Sequence, residues 1–380
     1  MKHLLVSAEV LEDQARAIFQ GWGLPRAHAE ASARILVEAD LAGIESHGIS
    51  LLAMYRQQIT SGAVLPAATF KKIMDRSAVA VFDGGGGFGH LVSLEAAKLA
   101  ADKARSLGVG AVAVRNSHHY GAAGLYVRRI AERGLLGLTT TAVWRPAIVP
   151  TAARRPMLGT NPIAFAAPAR RNRPFLLDMA TSTAAIGKLR TKLFEGELLP
   201  AGWAFDEEGG WERDPERALA EPRLAPLGGE GEEGGHKGYG LAVMVEILST
   251  ILAGATFAPL RPAEQITHDV GHFFLALDPN FFRADGGFEE DLDKLLDTLR
   301  STPPRSGERS VQVAGDPEYR CEEERRKNGI PLPRTLVARL REIASEAGAP
   351  FFLVTAEKTA SRLEDSCSNP LQKNTKGRNA

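Results

Sequence analysis

The sequence predicts an α/β fold in which a sheet is covered by helices. Within residues 78–116, an apolar run, a glycine-rich loop, a helical pattern and a second apolar run form a strand–helix–strand unit. Further short apolar runs then alternate with helical patterns at 121–133, 183–196, 238–254 and 288–300. This alternation is typical of a sheet covered by helices.

The residue patterns near the two ends of the chain predict a helical lobe. Residues 7–60 place apolar side chains at three- and four-residue intervals, with Ser7 as a candidate N-cap, and the pattern returns at 333–347. We expect one lobe from 1–75 with 320–355, and an α/β cofactor- and substrate-binding lobe at 76–319. The glycine-rich acidic segment 228–238 predicts a mobile loop, and 356–380 predicts a disordered tail.

Composition indicates a cytoplasmic protein that binds neither nucleic acid nor membranes. Lys plus Arg equals Asp plus Glu at 46 each, so no excess positive charge is available for a polyanion. Two cysteines in 380 residues fit a reducing compartment, and the acidic residues near the N-terminus argue against an export signal. The apolar stretch 238–258 contains Glu246 at its middle, which favours a buried helix over a membrane span.

Gly84, Gly86 and Gly89 form a GxGxxG pattern between a predicted strand and a predicted helix. A Rossmann fold would hold pyrophosphate there, but the next strand ends at 114–116 without the acidic residue that binds ribose. A tight turn is the alternative interpretation.

Glu45-Ser46-His47-Gly48 follows a long predicted helix. A histidine titrates near neutral pH and can pass a proton to a carbonyl oxygen. A serine nucleophile elbow would need glycine at Ile44, so we discount hydrolase chemistry. A capping serine beside a surface histidine remains an alternative.

Residues 116–124, NSHHYGAAG, stand where a strand ends and a helix begins, which is where α/β proteins place ligand sites. His118 and His119 are adjacent and therefore point apart, and no HxxxH spacing accompanies them, so we predict no metal. Polar clusters at 158–162, 178–182 and 236–240 are further candidates, although turns and caps explain each one singly.

Together these clusters resemble the type 2 malate/L-lactate dehydrogenase family, which also contains ureidoglycolate, sulfolactate and Δ1-piperideine-2-carboxylate oxidoreductases. The resemblance covers about residues 8–353. Its motifs, in family order, are ADLAGIESHG, NSHHYGAAGLY, GTNPIAFAAP, LDMATS, GGHKGYGLAVMVE, HFFLALDPNFF and NGIPLP.

The resemblance implies a sulfolactate-dehydrogenase-like mixed sheet that is not a Rossmann fold, NAD or NADP as hydride carrier, and a homodimer with active sites near the interface. It implies oxidoreduction between a 2-oxo acid and a 2-hydroxy acid, with His47 as proton carrier, Ser46 as its neighbour and His119 in acid–base or cofactor duty. Thr160 and Leu51 are implied at the substrate. The implied cofactor contacts are His119, Tyr120, Gly121, Ala122, Ala123, Asp178, Met179, Ala180, Lys237, Gly315 and Asp316.

The sequence departs from the family pattern at the residue expected to bind the substrate carboxylate. Many members carry arginine four residues after the SHG histidine, where this chain has Leu51. Arg145, Arg154 or Arg155 could supply the charge from another loop, or Leu51 could line a roomier pocket for a bulkier, more apolar substrate.

A second departure concerns an acid that one family variant places after Ala-x-Gly, where this chain has Gly187-Lys188, so a relay through that acid cannot operate. The resemblance also leaves two alternatives open: a cyclic-imine reductase and a non-catalytic nicotinamide-binding protein.

Overall fold

The computed structural model describes residues 3–230, 234–307 and 310–353. Its centre is a seven-stranded sheet of order β2-β3-β4-β8-β5-β6-β7, and a separate two-stranded sheet pairs β1 with β9. The strands are β1 (His3–Val6), β2 (Lys71–Arg76), β3 (Val79–Asp83), β4 (Val109–Ser117), β5 (Leu136–Thr141), β6 (Ile163–Ala167), β7 (Phe175–Met179), β8 (Val270–Leu277) and β9 (Ile330–Pro333).

Eleven α-helices of the described residues surround these strands. They are α1 (Ala8–Gly21), α2 (Arg26–Leu41), α3 (Leu52–Thr60), α4 (Gly89–Leu107), α5 (Gly124–Ala131), α6 (Ile186–Glu195), α7 (Pro215–Ala220), α8 (Gly235–Glu246), α9 (Phe288–Arg300), α10 (Asp316–Asn328) and α11 (Arg334–Glu346). Ser7 accepts a hydrogen bond from the backbone nitrogen of Val10, so it is the N-cap that the sequence predicts.

The large sheet is mixed. Strands β3 and β4 are parallel, whereas every other pairing among its described strands is antiparallel. A parallel pair needs a crossover, which α4 supplies. The predicted mixed α/β fold is therefore confirmed. A Rossmann arrangement is excluded, because a Rossmann sheet is mostly parallel and this sheet is mostly antiparallel.

Helix α4 lies close to the sheet because the buried side of this helix is rich in alanine. Ala97, Ala100, Ala101 and Ala104 are buried there. On the strand beneath, a Cβ at Gly110 would lie 2.0 Å from the carbonyl oxygen of Ala100, so glycine is required at that position. This close packing holds the beginning of β4 against α4, and the candidate site lies beyond the other end of this strand.

The two ends of the chain share a hydrophobic core. Strand β1 pairs with β9, and side chains of α1, α2, α3 and α11 are buried in one cluster with Leu4, Leu332 and Leu353. This cluster supports the helical lobe, whose boundaries stay a prediction. Strand β2, which falls within the range assigned to that lobe, pairs with β3 of the large sheet.

The apolar stretch 238–258 forms α8 and a π-helical turn, Ile247–Ile251. Glu246 is buried and accepts hydrogen bonds from Asn161 and Thr250, so its carboxylate has partners inside the protein. The prediction of a buried helix is wrong for one face, because Ile251 is 64% exposed in the single chain. No helix of the described residues is both long enough and apolar enough to cross a membrane.

The predicted loop 228–238 is shorter in the structure, because α8 already begins at Gly235. Residues 231–233 of that loop, and the predicted tail 356–380, lie outside the described residues.

Candidate active site

A cavity of about 540 Å³ lies beyond the ends of β4, β5 and β7, beside the turn that follows α2. It brings together most of the residues that the sequence analysis singled out. Those that line it are Ser46, His47, Leu51, His119, Gly121, Ala122, Ala123, Thr160, Asp178, Met179 and Ala180. Tyr120 lines a narrower extension of about 90 Å³ that is also lined by His47 and His119.

The turn that carries His47 is held by a buried carboxylate. Asp40, near the end of α2, accepts a hydrogen bond from the backbone nitrogen of Ile49 at 2.8 Å. A Cβ at Gly48 would lie 1.8 Å from Oδ1 of Asp40, so only glycine fits between the two segments. The resulting 3-10 turn, Glu45–His47, directs His47 into the cavity.

His47 is neutral in this environment. Its Nδ1 lies 2.9 Å from Oγ of Ser46. Burial, and second the positive charge of Arg190, lower the pKa of His47 to about 4. The alternative of a surface histidine is therefore wrong, since the ring lines the cavity beside the ring of His119, with centroids 5.6 Å apart.

His119 is the cavity end of a buried series of hydrogen bonds. Its Nδ1 lies 2.7 Å from the hydroxyl of Tyr55, which in turn lies 3.3 Å from Nε2 of His90. Nδ1 of His90 lies 3.0 Å from Oγ of Ser32. Burial lowers the pKa of His90 to about 3 and holds the pKa of His119 well below its usual range, so both rings are neutral.

One backbone group sets the direction of this series. The N–H of Gly121 also points to Nδ1 of His119, at 3.3 Å, and a backbone N–H can only donate. Nδ1 of His119 is therefore the acceptor, and the proton of the neutral ring is on Nε2. Tyr55 donates to His119 and accepts from His90, which accepts from Ser32. The ring of His119 thus offers an N–H donor to the cavity.

His118 points away from His119, as expected for neighbours on one chain. Its Nε2 lies 2.8 Å from Nδ1 of His268. The ring of His268 stacks on Trp144 at 4.1 Å between centroids, and Trp144 lines the cavity. Across residues 3–230, 234–307 and 310–353, no group of three or more side chains is arranged to hold a metal ion.

Asp178, at the end of β7, forms another wall of the cavity. Its Oδ2 accepts a hydrogen bond from the backbone nitrogen of Gly124, the first residue of α5, at 2.7 Å. Asp178 is an exposed residue of the single chain at the cavity wall, and desolvation by the surrounding protein raises its pKa to about 6. The cavity wall therefore contains a hydrogen-bond acceptor as well as the small side chains Ala122 and Ala123.

Thr160 is positioned by its neighbour Asn161, which is fully buried and has a positive φ of 36°. The side chain of Asn161 accepts from the backbone nitrogen of Val143 and donates to Glu246. These bonds tie the loop before β6 to α8. They hold Thr160 at the cavity wall, which explains why the GTNP motif and the buried glutamate occur together.

Helix α6 packs directly against the histidine turn. A Cβ at Gly187 would lie 2.8 Å from Cβ of Ser46, so α6 approaches this turn as closely as glycine allows. Lys188, next along the helix, is exposed and lies near the ring of Trp203. Arg190, three residues after Gly187, lines the cavity.

Arg190 is not among the residues predicted from the sequence. Among the three arginines that the sequence indicates as alternatives, Arg145 lines the cavity, whereas Arg154 and Arg155 are exposed and are not among the lining residues. Gly187 contacts Ser46, and residues three apart lie on the same face of a helix. This spacing indicates that Arg190 lies near the histidine turn, but only after the Gly187 contact is known.

A model of the malate/L-lactate dehydrogenase family matches residues 6–341. The chain belongs to the malate/L-lactate dehydrogenase family. It is 40% identical over 328 residues to malate dehydrogenase from Pyrococcus abyssi, covering 86% of this chain and 90% of that protein.

Solved structures agree with this membership. Malate dehydrogenase from Entamoeba histolytica has a TM-score of 0.87 and 32% identity, covering 92% of this chain and 99% of that one. Sulfolactate dehydrogenase from Methanocaldococcus jannaschii has a TM-score of 0.81 and 33% identity, covering 92% and 98%. The predicted resemblance and its sulfolactate-dehydrogenase-like fold are confirmed.

In this member of the malate/L-lactate dehydrogenase family, the GxGxxG loop is a tight turn. The backbone nitrogens of Gly84 and Gly86 donate to the carbonyl oxygens of Arg115 and Asn116, at 2.8 and 2.7 Å. These amides are therefore already bonded to the end of β4. The pyrophosphate interpretation is wrong for them, and the loop instead fixes the strand end that leads to His119.

Three predicted cofactor contacts of this family member do not line the cavity. Lys237 is exposed on the first turn of α8, and Asp316 is paired with Arg300 at 2.8 Å. Gly315 packs near Leu176. Glu318, which the sequence analysis missed, is the residue of α10 that lines the cavity. The cofactor assignment of Lys237, Gly315 and Asp316 stays a prediction.

Proposed function

We propose that His47 is the proton carrier, and His119 the hydrogen-bond donor, of a dehydrogenase that transfers hydride between NAD(P)H and a 2-oxo acid, the chemistry of its family. The observation that carries this proposal is the shared cavity. It places the two neutral imidazoles face to face, with centroids 5.6 Å apart, beside Asp178 and Thr160.

The residues present suit a nicotinamide. Asp178 offers an acceptor for a carboxamide N–H, and Ala122, Ala123 and Met179 offer small or apolar contacts for a flat ring. When bound, the reduced cofactor supplies the hydride that the carbonyl carbon of the substrate receives.

The protein residues handle the oxygen of the substrate. In the oxidation direction, neutral His47 accepts the proton of the 2-hydroxyl group, and in reduction its imidazolium returns that proton. His119 donates from Nε2 to the same oxygen as negative charge develops on it. Oγ of Ser46 holds the ring of His47 through Nδ1.

A panel of 2-oxo acids with NADH and NADPH tests the function, with cofactor oxidation followed at 340 nm. We expect turnover with at least one acid, and a loss of roughly a hundredfold or more in His47→Ala. His3→Ala, which replaces an exposed histidine on β1, is the control and should keep full rate. Silence across the panel, or full activity in His47→Ala, contradicts the proposal.

Cyclic-imine reduction is the second candidate function. Its motivation is Leu51, the apolar residue at the place where many family members carry arginine. Cyclic imino acids in the same panel separate this activity from 2-oxo acid reduction. Cofactor binding without any turnover would instead identify a non-catalytic relative.

We also propose a cytoplasmic homodimer. The exposed apolar face of α8 and the π-helical turn supports self-association, because Ile247, Ile251 and Leu252 are each more than half exposed in the single chain. The unpaired thiol of Cys321 is compatible with a reducing compartment. Light scattering of the purified protein tests the dimer, and Ile251→Asp should shift it to monomer.

A further inference from the structure

A 2-oxo acid brings a carboxylate into a cavity that already contains two acidic side chains, Asp178 and Glu318. Its binding therefore requires a cation, and a guanidinium is the best match for a carboxylate. Leu51 cannot supply one. Among the described residues that line the cavity, the basic groups besides histidine are Arg145 and Arg190.

The two arginines differ in their bonding. Nη2 of Arg145 donates to the carbonyl oxygen of Ala220 at 3.0 Å, which directs this side chain toward the end of α7. Arg190 has no hydrogen-bond or ion-pair partner within the described residues, although it lies in the same cavity as two carboxylates. Its donors are therefore available to a ligand.

The position of Arg190 on α6 directs it to the reacting atoms. Gly187 contacts Ser46, and residues three apart share one face of a helix, so Arg190 extends from the same side of α6 that faces the histidine turn. Arg190 and His47 line the same cavity, and the positive charge of Arg190 is the second cause, after burial, of the lowered pKa of His47.

The remaining wall around this position is apolar. Leu51 and Met54 lie on the side of the histidine turn and α3, and Ile186 and Leu219 lie on the side of α6 and α7. A substrate side chain that lies against this wall would contact these apolar groups. An aliphatic or aromatic group gains by burial there, whereas a second anionic group would be desolvated against apolar atoms.

We propose that Arg190 binds the carboxylate of the substrate and that the apolar wall selects a 2-oxo monocarboxylate with an apolar side chain. This proposal rests on the proposed function and names its substrate class. The proposed carboxylate-binding group, or clamp, thus comes from α6, whereas Leu51 belongs to the 3-10 turn before α3.

Kinetics with three variants test the clamp. We expect Arg190→Gln to raise KM for 4-methyl-2-oxopentanoate by roughly 10- to 100-fold, because a charge-assisted hydrogen bond is worth about 1.5–3 kcal/mol. KM for NAD(P)H should stay within about twofold, as uniform loss of substrate binding predicts. Arg190→Lys should recover part of the loss, since it keeps the charge without the bidentate geometry.

Arg145→Gln is the matched comparison, because it removes the same charge from the same cavity. A larger effect on KM in Arg145→Gln than in Arg190→Gln would overturn the assignment. For the substrate class, kcat/KM should be higher for 4-methyl-2-oxopentanoate than for oxaloacetate or sulfopyruvate. A clear preference for either of these dianions would refute the apolar-wall selection.

Calorimetry separates failure of the clamp from failure of the proposed function. If the wild-type enzyme reduces 2-oxo acids and Arg190→Gln does so with unchanged KM, the clamp is wrong and the function stands. If the wild type reduces none of them, the function is wrong. Binding of 4-methyl-2-oxopentanoate to the wild type with oxidised cofactor, weakened in Arg190→Gln, would then still support the clamp, whereas equal binding would refute it.

Discussion

Tyr55→Phe tests whether the buried hydrogen bonds behind His119 contribute to catalysis. The substitution removes a hydroxyl that donates to Nδ1 of His119 at 2.7 Å and accepts from Nε2 of His90 at 3.3 Å. The ring remains, so its packing against Phe88, at 4.8 Å between centroids, is retained. Only the longer bond from the backbone of Gly121 then holds the tautomer of His119.

The hydrogen bonds set the size of the expected effect. A single neutral hydrogen bond contributes about 1–1.5 kcal/mol net, so kcat should fall by no more than roughly tenfold. This is well below the hundredfold or greater loss expected when a catalytic imidazole is removed. The buried Nε2–H of His90 loses its acceptor, which should lower the free energy of unfolding by about 1–3 kcal/mol.

The assay is reduction of a 2-oxo acid at saturating cofactor, with the tautomer of His119 read from ¹⁵N NMR of labelled histidine. Tyr319→Phe is the matched control. It removes a buried tyrosine hydroxyl that donates to the carbonyl oxygen of Pro174 at 3.1 Å, away from the cavity, and it should keep kcat. Unchanged kcat in Tyr55→Phe, with His119 still protonated on Nε2, would refute the reasoning.

Three further outcomes are expected. Gly187→Ala should lower kcat, since its Cβ would lie 2.8 Å from Cβ of Ser46 and displace the histidine turn; steady-state rates equal to wild type would contradict this. Because the pKa of His47 is lowered to about 4, kcat/KM for oxidation of the 2-hydroxy acid should be constant between pH 6 and 8 in Asp178→Asn, which removes the other cavity group that titrates near pH 6; a fall centred near 6.5 in that variant would show that His47 is not neutral. Burial raises the pKa of Asp40 to about 7 from 3.8, so its contribution to stability is present below pH 3.8 and is lost as pH rises through 7. The free energy of unfolding, measured with urea, should therefore fall less between pH 4 and 8 in Asp40→Asn than in the wild type.

The predictable part of the fold consists of the elements with a clear local pattern. The strands from Val79 to Leu277 of the large sheet are apolar runs, and α1, α4 and α9 have apolar stripes at helical spacing. Strands β1 and β9 have four residues each, and β9 contains two prolines, so their pairing depends on contacts across almost the whole chain. Helix α10, DPEYRCEEERRKN, lacks an apolar stripe and is likewise not visible locally.

The candidate site likewise contains residues that sequence motifs indicate and residues that only the folded structure brings to the cavity. His47, His119 and Asp178 belong to motifs whose order along the chain is informative, and the cavity contains all three. Arg190 is an ordinary basic residue on a short helix, and its place at the cavity depends on a contact between segments about 140 residues apart. The exposed face of α8 could not be predicted either, because a uniformly apolar sequence does not show which of its sides is covered.

Helix α6 is anchored in a hydrophobic cluster of its own, separate from the clusters that hold the sheet and the terminal helices. Leu189 packs there with Leu199, Ala218 and Leu224. The segments of the two histidines thus pack into the clusters of the sheet and of the terminal helices, whereas the helix of Arg190 packs into a third cluster. If Arg190 binds the substrate carboxylate as proposed, residues 183–226 can be exchanged with those of a homologue to change substrate preference while the packing around His47 and His119 is kept.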